Sequence, residues 1–381
     1  MRPIYFDNAA TTFPKPECVC RAVSKAVRYL CANPGRSSHR LSVAAAEKVY
    51  GCRCKLAATF GGAEERAVFT LSATYAINLA VKSILRRGDH VLISDIEHNA
   101  TLRPIAELAQ RSLITYDVYK TCPSPSETAK NVAALIKPNT RLVCACHHSN
   151  ICNITLPLRE IGSICKRHGA YFLVDASQSA GSHKIDLEAD LIDVVCLPAH
   201  KGLYGIPGCG AVIFGSRLDP AELSTVIEGG NGVGSSSVLM PSFLPERLEA
   251  GTLPLPAIIG LSAGLDFVSA VGQSTLLRHE KQLYTLLSNE LSDVRGITVH
   301  TKNSGSILLL SADGILSEDL ARELDGYGIC VRAGLHCAPL AHQKLNTPND
   351  GAVRVSFGAF NTEREVKQLV YACQRIVKTH R

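Results

Sequence analysis

Between residues 67 and 214 the chain repeats one unit: a short apolar run, a turn, then a stretch whose apolar residues recur at helical spacing. The runs occupy residues 67–71, 90–94, 142–146, 171–174, 194–197 and 211–214, and helical patterns fill 75–85, 103–112, 126–136 and 158–168. Strands separated by a helix cannot close as hairpins. They return by crossovers and pair in parallel, buried on both faces. The pattern predicts an α/β fold. It also says where chemistry can sit, because ligands bind beyond the carboxyl ends of parallel strands.

Two of those strand ends carry charge. The run at 171–174 leads into Asp175-Ala176-Ser177-Gln178, and the run at 194–197 leads through Pro198-Ala199 into His200-Lys201 and a glycine-rich turn. Taken alone, Lys201 reads as a loop lysine at a strand end. Its setting changes that: successive parallel strands put Asp175 and Lys201 at one sheet edge, and a lysine is costly to bury unless paired or chemically used. A pyridoxal phosphate site needs this pair, a lysine to carry the cofactor and a carboxylate to keep the pyridine nitrogen protonated so that the ring draws electrons.

Asp175-x-x-Gln178 followed by His200-Lys201 resembles the cofactor signature of fold-type I pyridoxal phosphate enzymes of the class V aminotransferase group, specifically the cysteine desulfurases. Three further segments resemble these enzymes: Asp7-Asn8-Ala9-Ala10-Thr11, Asn33-Pro34-x-Arg36-x-x-His39-Arg40, and Arg332-x-Gly334-x-His336-Cys337-Ala338. The last two match group II cysteine desulfurases and selenocysteine lyases. The resemblance runs from Asp7 to about Val377. It implies a large domain (15–255) with a mainly parallel seven-stranded sheet, and a smaller C-terminal α/β domain (256–381, joined by residues 1–14) carrying the cysteine loop.

The same resemblance assigns roles. Lys201 would carry pyridoxal phosphate and move the substrate Cα proton, Asp175 would keep the ring nitrogen protonated with Gln178 in the same cofactor signature, and His98 would stack on the ring and handle protons. His200 belongs to the same signature. Ala73 and Thr74 would cup the phosphate at a helix N-terminus, although Thr74 also reads as a plain N-cap. Asn150 (Asn153 being the poorer choice), Arg354, Arg332 and His39 would face the substrate, with His39 almost equally a structural cap. Thr252, in Arg247-x-Glu249-x-Gly251-Thr252, would reach the phosphate of a partner subunit, which implies a homodimer with shared active sites. Cys337 would accept sulfur from L-cysteine as a persulfide for an acceptor protein, with Arg332 and His336 favouring its thiolate. Selenocysteine lyase, class V transaminase or β-lyase, and a non-catalytic sulfur-transfer scaffold are the alternatives. Three departures stand out: Pro198 where a hydroxyl residue is usual, a short 230–245 segment, and Pro339 one position early.

Composition narrows the remaining choices. The net charge of +6 over 381 residues includes no basic run of nucleic-acid type, and no apolar stretch has membrane-span length. The N-terminus lacks the apolar core of a signal peptide, so a cytoplasmic protein is expected. The 15 cysteines include C-x-C pairs but no C-x-x-C, and most read as buried thiols in a reducing compartment. Cys146, His147 and His148 imitate a metal cluster, but no matching pair occurs elsewhere, so no metal is expected.

Overall fold

The structure, a computed structural model, describes residues 3–34, 39–347 and 349–380. After β1 (Ile4–Tyr5), α1 (Glu17–Tyr29) and α2 (Arg40–Phe60), the repeated unit forms β2 (Ala67–Thr70), α3 (Ala73–Ile84), β3 (His90–Ser94), α4 (Asn99–Gln110), β4 (Thr115–Tyr119) and α5 (Pro125–Leu135). It continues as β5 (Thr140–Cys146), α6 (Leu158–His168), β6 (Tyr171–Asp175), β7 (Val194–Pro198) and β8 (Gly210–Phe214). These strands form one seven-stranded sheet in the order β2-β8-β7-β6-β5-β3-β4. β8 runs antiparallel to both neighbours, and the remaining pairs are parallel.

β4 is the strand that the apolar runs do not announce. It lies at the sheet edge, where Thr115 and Val118 are exposed, so its sequence mixes polar and apolar residues. Central strands show the opposite: β5 is buried almost throughout, and its residues alternate between two apolar layers. Val143 and Ala145 pack on one face with α2, α6 and α7 residues, whereas Leu142 and Cys144 pack on the other with α3 and α4. Cysteines 144, 165 and 196 fill this core as small apolar side chains.

Beyond the sheet, α7 (Leu255–Val271) and α8 (Gln273–Ser292) lead to β9 (Ile297–Val299), β10 (Ile307–Ala312), α9 (Ser317–Gly326), β11 (Ile329–Cys330), α10 (Pro339–Leu345), β12 (Val353–Ser356) and α11 (Glu363–Thr379). β9, β10 and β12 make an antiparallel sheet with its own core against α8, α9 and α11. The chain's start returns to this region. β1 pairs in parallel with β11, and Phe6 is fully buried in the same core. Among the described residues, no single helix is long and apolar enough to cross a membrane.

Candidate active site

Sheet register brings the predicted residues together. Cys146 pairs with Asp175 and Asp175 with Cys196, so the ends of β5, β6 and β7 lie at one edge. Beyond that edge, Ala73, Thr74, His98, Asn150, Asp175, Gln178, His200 and Lys201 line a single cavity. Asp175 is buried, and its Oδ1 accepts a hydrogen bond from the Ser177 amide at 2.9 Å. Burial pulls the Lys201 amine down to about 8, against the opposing pull of Asp175 and ahead of the smaller effect of Arg354. An amine in that range is partly neutral near pH 8 and hence nucleophilic.

The lysine loop is tightly held. The His200 carbonyl accepts from the Thr12 amide at 3.1 Å, from the Thr11 and Thr12 hydroxyls, and from Lys15 Nζ at 2.8 Å. The N-terminal Asp7–Thr12 segment thus braces the residue before the lysine. A glycine is required at 202, because a Cβ there would lie 2.3 Å from the Ala180 carbonyl oxygen. His98 and His200 are both held down to about 4, first by burial and then by the Lys201 charge, so both rings are neutral at physiological pH.

At the other side of the cavity, α3 begins at Ala73. Ser72, not Thr74, is its N-cap, accepting from the Tyr75 amide at 3.2 Å. Thr74 stands in the exposed first turn, where the helix start leaves amides free for an anion. Gly210 makes room for this turn, since a Cβ would come within 2.7 Å of the Ser72 carbonyl carbon.

Arg354, on β12, is buried beside the cavity rather than in its lining. Its Nη2 donates to Asp7 Oδ1 at 2.8 Å, while its Nε is buried without a partner. Asn150 Oδ1 is likewise buried and unpartnered. Asn153 points away, donating to the Asn303 and Ile307 carbonyls. Arg332 pairs with Arg354 through the backbone.

The cysteine loop meets the cavity rim through main-chain bonds. The Asn99 amide, next to His98, donates to the Cys337 carbonyl at 2.7 Å, and Asn150 Nδ2 donates to the His336 carbonyl at 3.0 Å. His336 and Cys337 take left-handed φ values of +51° and +56°, and Cys337 is exposed. The expectation that a charged His336 favours the thiolate is overturned. The residue is 5% exposed, burial holds its pKa down to about 3, and both nitrogens are already bonded.

Two predicted residues lie outside this cluster. His39 is an exposed N-cap of α2, its Nδ1 accepting from the Ser42 amide at 3.2 Å; residues 35–38 of its motif lie outside the described residues. Thr252 is exposed and not in the cavity lining. The motif around Thr252 is a clamp: buried Glu249 pairs with Arg53 and accepts from the Phe69 amide at 2.6 Å. Sequence reading missed the Asp7–Arg354 pair, whose partners are 347 residues apart. It also missed Glu97, a buried carboxyl raised to about 7 chiefly by burial, although its place beside His98 could have drawn notice. The His147, His148 and His183 rings pack together at 5.6 and 4.9 Å, but no group of three His, Cys, Asp or Glu among the described residues is arranged to hold a metal ion.

The class V aminotransferase family model matches residues 4–369, the stretch that contains this lysine, carboxylate and helix start. The chain belongs to that family. Its relatives include a protein named as a probable cysteine desulfurase from Methanothermobacter thermautotrophicus, 31% identical over 96% of this chain and 92% of that protein. A cysteine desulfurase from Escherichia coli is 32% identical over 98% of this chain and 93% of its own length. Among solved structures, the apo cysteine desulfurase of Thermococcus onnurineus superposes with a TM-score of 0.90 at 28% identity, covering 99% of this chain and 95% of that one. Enzymes of this family generally depend on pyridoxal phosphate.

Proposed function

We propose that this protein is a pyridoxal phosphate-dependent cysteine desulfurase of the group II type, converting L-cysteine to L-alanine and leaving the sulfur as a persulfide on Cys337. The observation that carries the reading is that one cavity holds a half-buried lysine of lowered pKa with Asp175, while main-chain bonds tie the Cys337 loop to its rim. The donor set fits the cofactor. Lys201 would hold its aldehyde carbon, Asp175 its ring nitrogen, and the first turn of α3 its phosphate, with Gln178 and His200 lining the same cavity. The unpartnered Asn150 Oδ1 and His200 Nδ1 are buried polar atoms that need such a ligand. When bound, the group supplies an electron sink for an amino acid.

The chain's own residues do the rest. Lys201, neutral in part near pH 8, takes and returns the proton at the substrate Cα. His98, neutral, presents a flat ring and a second site for proton transfer. Arg354, with a buried free Nε, binds the substrate carboxylate, and Arg332 adds positive charge nearby. The Cys337 thiolate then attacks the substrate sulfur. The C–S bond breaks with its electron pair left on carbon, which takes up a proton to become the alanine methyl, and an S–S bond forms on Cys337. Exposure of Cys337 suits onward transfer to a thiol of an acceptor protein.

The reading extends to assembly and place. We take 15–255 and 256–381 (with 1–14) as two domains, and the active unit as a homodimer in which exposed Thr252 completes the partner's site. The fifteen free thiols suit a reducing cytoplasm. The test is an assay of purified protein with L-cysteine and with selenocysteine, with and without reductant, following alanine and sulfide together. Equal yields of alanine and reductant-released sulfide support the desulfurase. Turnover of selenocysteine alone makes it a lyase. For the dimer, mixing Lys201→Ala with Thr252→Ala protein restores activity that neither has alone, and a fully active monomer sinks it.

A further inference from the structure

The cysteine loop contains two consecutive non-glycine residues with left-handed backbone, His336 and Cys337. L-residues adopt that conformation at a cost in free energy, so something outside the turn must hold it. Beneath it lies a line of hydrogen bonds that the sulfur chemistry itself does not require. His336 Nε2 is 3.0 Å from the Arg332 carbonyl, His336 Nδ1 is 3.2 Å from His342 Nε2, and His342 Nδ1 is 2.8 Å from the Thr347 hydroxyl.

With both rings neutral, the carbonyl end sets the proton positions along this line, and the Thr347 hydroxyl, 3.3 Å from the His342 carbonyl, lies closer to Nδ1. A carbonyl only accepts, so His336 Nε2 carries the hydrogen, and in a neutral ring Nδ1 is then bare. His342 Nε2 must therefore donate to it, which leaves His342 Nδ1 bare to accept from the Thr347 hydroxyl. Both rings are buried and parallel, 5.5 Å apart, and burial keeps both neutral. The far end is anchored as well. Lys344 on the same short helix donates to Asp95 Oδ2 at 2.7 Å and to the Thr121 carbonyl at 2.6 Å, tying α10 to the segments that follow β3 and β4.

We propose that His342 is a positioning residue for Cys337: through His336 it fixes the left-handed turn that presents the thiol, and Thr347 fixes His342 in its turn. The role rests on the desulfurase reading, since it acts on the sulfur-accepting step. A bare His336 Nδ1 without a donor would be a buried unsatisfied atom, relieved by ring rotation that also frees the Arg332 carbonyl and the turn. The Arg332 carbonyl also accepts from the Arg354 amide at 2.7 Å, so a smaller effect on substrate affinity accompanies the loss of thiol placement.

Three variants test this in the cofactor-loaded enzyme. His342→Phe keeps the aromatic volume and removes both bonds. His342→Gln keeps a donor toward His336 and an acceptor toward Thr347. Thr347→Val, at the half-buried end, is a milder break that serves if the phenylalanine variant does not accumulate. Persulfide on Cys337 is followed by mass spectrometry after rapid mixing with L-cysteine, alongside KM and the cofactor absorbance change on substrate addition. Iodoacetamide alkylation of Cys337 is measured by peptide mapping. The phenylalanine variant should form persulfide roughly 10- to 100-fold more slowly, with a much smaller change in KM and the absorbance change retained. Glutamine should restore the rate to within about threefold, and valine should lie between. Persulfide at the wild-type rate in His342→Phe, or equal loss in Phe and Gln variants, overturns the proposal. Wild-type protein that consumes L-cysteine without persulfide on Cys337 sinks the desulfurase reading instead. The alkylation rates then decide the relay alone: a change in the Phe variant reversed in Gln supports it, and equal rates overturn it.

Discussion

The two reactive side chains proposed for this site, Lys201 and Cys337, are placed by opposite means. Lys201 follows a central strand of the seven-stranded sheet, in a loop clamped by glycine contacts and four donors on one carbonyl. Its reactivity is set by burial. Cys337 sits exposed on a left-handed turn, and what holds it is a few main-chain bonds and two neutral histidines. The lesson is that a nucleophile that stays in place can be buried and tuned by desolvation, whereas one that must both reach substrate and hand sulfur on has to remain accessible and be aimed by its backbone.

The sharpest break in this comparison is Lys201→Ala. Removing the amine should lower alanine formation by roughly 1,000-fold or more, because both cofactor attachment and Cα proton transfer are lost. In the wild type, borohydride reduction should fix cofactor mass on the peptide containing Lys201. Mass on another lysine contradicts the assignment.

Cys337→Ala comes next. It should keep the yellow cofactor band and its response to L-cysteine, yet release alanine at least about 100-fold more slowly. With selenocysteine the loss should be smaller, because the weaker C–Se bond can break without a protein nucleophile. Unchanged alanine release from L-cysteine would hand the protein to the transaminase or β-lyase reading. The buried thiols do not substitute: burial pushes Cys144 and Cys196 well up and Cys52 to about 12, and half-buried Cys330 is raised by burial and nearby acids.

The same contrast explains what the sequence made legible. The floor of the site could be read because strand ends are fixed by apolar runs, and parallel order carries Asp175 and Lys201 to one edge. Edge strand β4 was hidden because exposure breaks its apolar run, and short α10 starts at Pro339 with too few residues to show a period. The charge state of His336 was misread because burial is not visible in a motif. Asp7 and Arg354 meet because the chain's start returns between β11 and β12, a pairing between distant parts of the chain that no local pattern encodes.

Arg354→Ala sharpens the comparison on the substrate side. It should raise KM for L-cysteine about 10- to 100-fold with a smaller change in kcat, since a buried guanidinium that binds a carboxylate contributes mainly to affinity. Asp7→Asn keeps an acceptor for Nη2 at 2.8 Å and should change KM less. A larger effect from Asp7 than from Arg354 would make the pair structural and move the carboxylate site elsewhere.

The smallest expected effect tests how Lys201 is tuned. Burial lowers its pKa from 10.5 to about 8 and Asp175 opposes that shift, so the acetylation rate of Lys201 by acetic anhydride should rise with pH through about 8 in cofactor-free protein. Only the neutral amine reacts, so a lower pKa means faster labelling at a fixed lower pH. Asp175→Asn removes the charge that stabilises the ammonium and should move the midpoint down by about one unit, making labelling at pH 7 about fivefold faster. Stability carries the same sign. Because the folded lysine binds fewer protons than the unfolded one between about pH 8 and 10.5, this group's contribution to folding improves as pH rises through that window and is flat below it. A labelling midpoint near 10.5, or one that rises when Asp175 is neutralised, would mean that the amine is solvated or aimed away from the carboxylate. The buried half of the comparison would then fail.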